Sequence, residues 1–211
     1  VARAPAAPAV PLAPEETRVE VELPSDPVRR AWIAARAAYY EDGDLDRAIG
    51  LAVRLRADAA VRVESRWAGS LLCEAYTARG RAREAVEVCT EVLPARQGEE
   101  ARILHRRIAE LYRGQLGDCA RALPHYNQVL VFGRSSPLDE GARLARAECA
   151  AETGDWDLVR RDLLQLENSQ IAKSTSPTGD PTEQRAALER IRQRLAQHRA
   201  AQAASGMADS E

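Results

Sequence analysis

The chain has 211 residues, enough for one domain or one short repeat array; 45% of them are hydrophobic but only 4% aromatic. Basic and acidic residues are interspersed and nearly balance at a formal net charge of -2, which excludes the basic field of a nucleic-acid binder. No run of about 18 apolar residues is present, so no stretch reads as a membrane-spanning helix.

Alanine and leucine carry most of the apolar content, which suits helices that approach one another closely. Arginine outnumbers lysine by 29 to one, Lys173; this bias fits a GC-rich genome and says little about ligands. Residues 1–26 hold Ala-Pro runs followed by Thr17-Arg-Val-Glu-Val-Glu-Leu-Pro24. Proline denies the first part a helix, so the segment reads as an extended linker. Val19 to Leu23 alternate and could form a strand if a neighbour offered a ladder. The chain begins at Val1 and its single methionine is Met207, so we expect something upstream to have been removed: a signal peptide, a membrane anchor, another domain or trimmed residues.

The first helix is expected to start at Asp26-Pro27, an N-cap followed by proline at the first helical position. The same device recurs at Ser136-Pro137 and Asp180-Pro181, where Glu183 completes a capping-box-like pattern. Between these points Gly43, Gly80, Gly117 and Gly154 stand 37 residues apart, each in a similar phrase such as Glu41-Asp-Gly-Asp-Leu-Asp-Arg-Ala-Ile49. A fixed period in this range signals a stack of like units. Trp32, Ala35 and Tyr39 precede the first glycine, and Ala48, Ile49, Ala52 and Leu55 follow it. Leu72, Cys73 and Tyr76 precede the second, and Ala85, Val88, Cys89 and Val92 follow. These spacings put apolar residues on one helix face. Each glycine suits the stop between two helices because it tolerates positive φ.

The units resemble the tetratricopeptide repeat over residues 27–166. Trp32, Tyr39, Gly43, Asp44 and Ala48 match its pattern in the first unit, and Tyr76, Gly80 and Ala85 in the second, where Gly69 replaces the large residue. Ala109, Tyr112, Gly117, Asp118, Ala122 and Tyr126 match in the third, with one extra residue before Gly117 that should lengthen the turn. The fourth keeps Ala147, Gly154 and Asp155 but has Ala150 for the tyrosine and Val159 for the alanine. The resemblance implies an all-α fold, an α-solenoid of about four helix-turn-helix repeats. The surplus over the usual period of about 34 residues falls in loops at Ala57–Val63, Pro94–Glu99 and Gly133–Asp139. Residues 167–180 read as a flexible loop and 181–203 as a capping helix with Leu188, Ile191 and Leu195 as its apolar stripe; the alternative is a helix that docks on a partner or self-associates. A disordered tail is expected over 204–211.

The resemblance also implies that the first helix of each unit lines a concave face that holds a protein or peptide. Position by position, this face would display Arg30, Ile33, Ala37 and Tyr40, then Trp67, Ser70, Glu74 and Thr77. Ile103, Arg106, Glu110 and Arg113 follow, then Leu144 and Glu148. Tyr40 and Trp67 are the natural anchors, and Arg106 and Arg113 could grip a carboxylate. The Lys, Asn and Arg set of chaperone-tail receptors is missing. Trp156, just after the fourth turn, reads as a structural aromatic between units.

The cysteines, Cys73, Cys89, Cys119 and Cys149, form no CxxC pair and have no histidine at zinc-ligand spacing. They read as small core residues; Cys73 and Cys89 could instead pair in an oxidising compartment. His105, His125 and His198 are far apart in sequence, with His105 on a core-facing position. There is no phosphate loop and no nucleophile elbow, and the acidic residues mostly sit near arginines, as on solvated helix faces. The expectation is a non-enzymatic interaction module with no cofactor and no metal. Stretches such as Leu116-Gly-Asp-Cys-Ala-Arg-Ala-Leu-Pro-His-Tyr126 look like the repeat tails of bacterial envelope regulators of the anti-sigma or FecR type. That resemblance implies a periplasmic or envelope-associated domain, tethered through the missing upstream segment. A cytoplasmic protein is the alternative compartment. A structural subunit of an envelope assembly and an enzyme accessory domain are the alternative roles.

Overall fold

In a computed structural model, residues 26–58, 63–131, 137–167 and 181–208 are described, and the regular secondary structure among them is entirely helical. The helices are α1 (Pro27–Tyr40), α2 (Leu45–Asp58), α3 (Val63–Arg79), α4 (Ala82–Val92), α5 (Gly98–Glu110), α6 (Cys119–Val131), α7 (Pro137–Thr153), α8 (Trp156–Glu167) and α9 (Pro181–Ala208). The first eight form four hairpins stacked in chain order, and α9 lies on α7 and α8. The expected array and its cap are both present. The cap runs on to Ala208, through most of the stretch expected to be a tail. Ala204 continues the run of helix formers Ala200, Ala201, Gln202 and Ala203 into that stretch. The expected linker before Asp26, the strand at Val19 to Leu23 and the loop after Glu167 lie outside the described residues.

The repeated Gly-Asp step explains the hairpin turns. Gly43, Gly80, Gly117 and Gly154 all have φ between 62° and 82°, the left-handed conformation that ends a helix and that only glycine adopts without strain. The aspartate after three of them caps the next helix: Asp44 accepts from the Arg47 N–H, Asp118 from Arg121 and Asp155 from Leu158. In the second unit Arg81 takes that place and makes no side-chain cap. It lies over the Tyr76 ring instead, 4.7 Å from its centroid. At the start of the chain Asp26 accepts from the Val28 N–H, as the Asp-Pro signal predicts.

The extra residue in the third unit does not lengthen the turn as expected. It widens the last turn of the first helix, so that α5 ends in a π-helical stretch, Leu111–Gln115. A π-turn accepts one surplus residue while keeping its backbone hydrogen bonds. Gly117 therefore holds its place in the 37-residue register.

Alanine dominates the core. Ala35, Ala38, Ala48, Ala68, Ala85, Ala109, Ala122, Ala147 and Ala150 are wholly buried. Larger residues close the gaps, notably Leu72, Ile108, Tyr126 and Leu166. At Gly69 α3 comes so near α4 that an added Cβ would stand 2.7 Å from a Val92 methyl. A tryptophan there, the large residue of the repeat pattern, is sterically impossible without moving α4. On the cap, Leu188, Ile191 and Leu195 are buried as expected. Trp156 stacks on His198 of α9 with centroids 4.3 Å apart, so it joins the last unit to the cap.

The four cysteines are buried, and all are paired. Cys73–Cys89 joins the two helices of the second unit, the pairing left open from the sequence. Cys119–Cys149 joins α6 to α7, across the third and fourth units; reading these two as free core residues is thereby corrected. Thirty residues separate them in sequence, and only the stacking of the units brings them together. Ion pairs tie the units in the same way. Arg79 reaches Asp46, Arg56 reaches Glu91, Arg102 reaches Asp139 and Arg113 reaches Glu148, each bridging one unit to the next. Asp139 and Asp162 are buried, held by Arg102 and by Arg143 with Arg146.

His105 and His125, distant in sequence, meet between α5 and α6 with their Nδ1 atoms 3.0 Å apart. One nitrogen must carry hydrogen and donate to the other. Burial lowers the pKa of both below the ordinary 6.5, and His105 lowers that of His125 further.

Two outcomes are expected. Reducing the disulfides frees loops of 16 and 30 residues in the unfolded chain, which removes about 3 kcal/mol for each on the loop-entropy account. Thermal unfolding with and without a thiol reductant checks this, and each Cys→Ser pair should reproduce its share. Acid should also weaken the fold at the histidine pair. Their folded pKa values lie below the unfolded one, so as pH falls under about 6.5 the unfolded chain takes up protons first. Stability is full above that pH and declines as pH drops through the folded values. Melting at about pH 7.5 and about pH 5.5 should show a larger loss for the native chain than for His125→Asn.

Candidate functional site

The first helices of successive units, α1, α3 and α5, stand side by side and leave a groove between their outer faces. It includes a pocket of about 380 Å³ lined by Trp32, Arg36, Tyr40, Trp67, Glu74 and Arg96, with Ser70 and Leu71 between them. A second hollow continues from it along Ser70, Glu74 and Arg96 to Ile103 and Arg107 on α5.

The pocket is aromatic. The Trp32 and Trp67 rings lie 5.7 Å apart at 38°, and Tyr40 meets Tyr39 edge-on at 4.6 Å. Trp67 is 42% exposed and Tyr40 60%. Exposed aromatic rings on a rigid helical floor offer contact area at little entropic cost. Helical spacing produces the arrangement: Trp32, Arg36 and Tyr40 recur every four residues on one face of α1, and Trp67, Leu71 and Glu74 follow at four and three residues on α3.

Polar contacts hold the groove in shape. The Tyr40 hydroxyl donates to Glu74 Oε2 at 2.8 Å, and burial together with that bond raises the pKa of the phenol. Glu74 Oε1 also lies 3.6 Å from Arg107. Arg96 donates to Ser70 Oγ at 2.5 Å and to Glu100 at 3.1 Å. Arg36 has its guanidinium 5.8 Å from the Tyr40 ring centroid, and it faces no carboxylate among the described residues.

The residues expected on the concave face divide into two groups. Tyr40, Trp67, Ser70 and Glu74 line the first pocket, and Ile103 lines its continuation. Arg30 and Ile33 do not border either hollow. Thr77 turns its hydroxyl to the Cys73 carbonyl, and Leu144 is buried rather than displayed. The charged positions farther along are engaged with one another. Arg106 pairs with Glu110 at 2.7 Å, and Arg113 with Glu148 at 2.8 Å and with the Tyr126 hydroxyl at 3.2 Å. Arg106 and Arg113 therefore reach a ligand's carboxylate only by giving up these partners.

Four residues of the pocket lie outside the expected face, the buried Leu71 among them. Trp32 belongs to the repeat signature, yet it is half-buried and also lines the pocket. Arg36 sits on the same face as Tyr40 at i–4, a spacing that could have revealed it. Arg96 comes from the loop after α4, where a short 3-10 turn, Leu93–Ala95, turns it back toward α3; helical periodicity carries no signal for such a residue.

No protein-family model matches the chain, and no curated protein matches it. Solved structures do. A crystal structure of Podosopora anserina kinesin-light-chain-type, nearly identical TPR-like repeats is similar at 20% identity with a TM-score of 0.60, over 87% of this chain and 93% of that one. A tetratricopeptide repeat protein from Parabacteroides merdae is similar at 17% identity and 0.58, over 78% of this chain and 60% of that one. MamA AMB-1 is similar at 18% identity and 0.54, over 72% and 79%. At such identities the likeness speaks for architecture, and it agrees with the 37-residue period and the Gly-Asp turns: the chain has the tetratricopeptide-repeat fold, an all-α solenoid of four helical hairpins closed by a ninth helix among the described residues.

Proposed function

We propose that the chain is a non-catalytic module that holds a protein or peptide in the groove of α1, α3 and α5. The observation that carries this reading is the open pocket of Trp32, Tyr40 and Trp67, three rings presented on a floor that hydrogen bonds and stacking hold rigid. Aromatic anchors set among arginines are the commonest source of binding energy at protein interfaces. The groove is long and shallow, a shape suited to an extended segment rather than to a small substrate.

We further propose an envelope setting, as part of a regulatory or assembly complex outside the cytoplasm. The two buried disulfides support it, because such bonds persist in oxidising compartments and are rare where thiols are kept reduced. A cytoplasmic chain would hold these four cysteines as thiols. Alkylating the protein at the moment of cell lysis, before any reductant is added, decides between the compartments: unmodified cysteines support the envelope, and labelled ones overturn it.

The binding role is tested by immobilising the whole chain and a Tyr40→Ala, Trp67→Ala double variant, after matching their helical content, and passing source lysate over both. A partner held by the native chain should bind the variant about 30-fold more weakly, the loss typical of a hot spot. Equal retention on both columns would remove the groove from the function.

A further inference from the structure

The first segment of the chain has a pattern that the groove fits. Its prolines fall at Pro5, Pro8, Pro11 and Pro14, each three residues from the next, and Glu15-Glu16 follow directly. A polyproline II helix has three residues per turn, so a spacing of three sets all four rings along one edge. Extended proline-rich strands dock on grooves lined by aromatic side chains, and they lose little entropy because proline has already fixed the backbone. The groove of α1 and α3 is such a surface, with Trp32, Tyr40 and Trp67 presented together. It also holds Arg36, a guanidinium in contact with the Tyr40 ring that faces no carboxylate among the described residues.

Resting on the binding role above, we propose that residues 5–16 occupy this groove in the same molecule, with the proline edge on Trp32, Tyr40 and Trp67 and Glu15-Glu16 at Arg36. The segment is then an internal competitor that an external partner must displace.

The chain can reach. Residues 17–25 connect Glu16 to Asp26, the N-cap of α1, and extended they span about 30 Å. Arg36 lies ten residues along α1 from Asp26, about 15 Å at the helical rise. The tether is thus about twice the distance to Arg36, and from there the proline stretch can cross the groove from α1 to α3. A short flexible tether of this kind gives a local concentration in the millimolar range. A segment that would bind only at about 1 mM as a free peptide is then docked about half of the time. A second copy of the chain would have to match that concentration in solution, which makes the same molecule the favoured donor.

The three tryptophans make the test direct, because Trp32 and Trp67 line the groove while Trp156 stacks on His198 at the far end. Indole N–H resonances of the full chain are compared with those of a Pro5→Ala, Pro8→Ala, Pro11→Ala, Pro14→Ala variant, assigned through Trp32→Phe and Trp67→Phe. We expect the Trp32 and Trp67 signals to shift and the Trp156 signal to stay. A synthetic peptide of residues 1–17, added to the proline variant at millimolar concentration, should move the two groove signals back. Arg36→Gln should weaken that peptide roughly two- to five-fold, as for an exposed ion pair.

Superposable groove signals in the native chain and the proline variant would overturn the proposal, as would a shift that includes Trp156. A shift that fades on dilution, with a dimer in sedimentation, would assign the segment to a second copy and overturn the intramolecular form. These outcomes are separate from failure of the binding role itself, which is read from lysate retention on the proline variant compared with the same variant carrying Trp67→Ala. If the binding role holds and the segment competes, that column retains more partner than the native one.

Discussion

Alanine sets the terms on which this molecule folds. Its side chain is the smallest that still favours a helix, and it fills the contacts between neighbouring helices, from Ala35 and Ala48 in the first unit to Ala147 and Ala150 in the fourth. Helices joined through alanine come very close, but each contact removes little apolar surface from water. The stack therefore needs further ties within and between units, and it has them in three forms. Two disulfides clamp helix to helix. Buried carboxylates at Asp139 and Asp162 are held by arginines of adjacent helices. Outer ion pairs span the junctions, Arg79–Asp46 and Arg56–Glu91 between the first two units and Arg113–Glu148 between the last two; exposed pairs of this type contribute little singly.

The hairpins were legible in the sequence because the turns are local. A glycine at positive φ and an aspartate that caps the next helix need only their immediate neighbours, so the same phrase gives the same turn each time. The cap helix was legible for the same reason, through Asp180-Pro181 and the stripe of Leu188, Ile191 and Leu195. The Cys119–Cys149 bond and the His105–His125 contact were not, because each depends on how two helices register in space. The surplus residue after Tyr112 was visible, but its outcome was not. A longer turn and a π-turn keep the same count, and the choice between them is made by α4 and α6 lying against that end of α5.

The groove shows a similar division. The first-helix positions were assigned by analogy of spacing, which located Tyr40, Trp67 and Glu74 but could not say which charges the protein itself neutralises. Arg106, Arg113 and Glu148 are bound to their neighbours, and they stiffen the inner face of the later units. The earlier units keep their rings open and hold Glu74 between the Tyr40 hydroxyl and Arg107. One end of the solenoid is thus built to be rigid and the other to offer surface.

The disulfides also govern how the chain would respond to tension. One bond closes a loop inside the second unit, and the other closes a loop across the third and fourth. Together they lock 16 and 30 residues out of any stretching, about 160 Å of contour length at full extension. The junction of α4 and α5 is crossed by neither bond. A pull on the two ends could therefore extend only the stretches outside these two loops, the first unit and the junction of α4 and α5 among them.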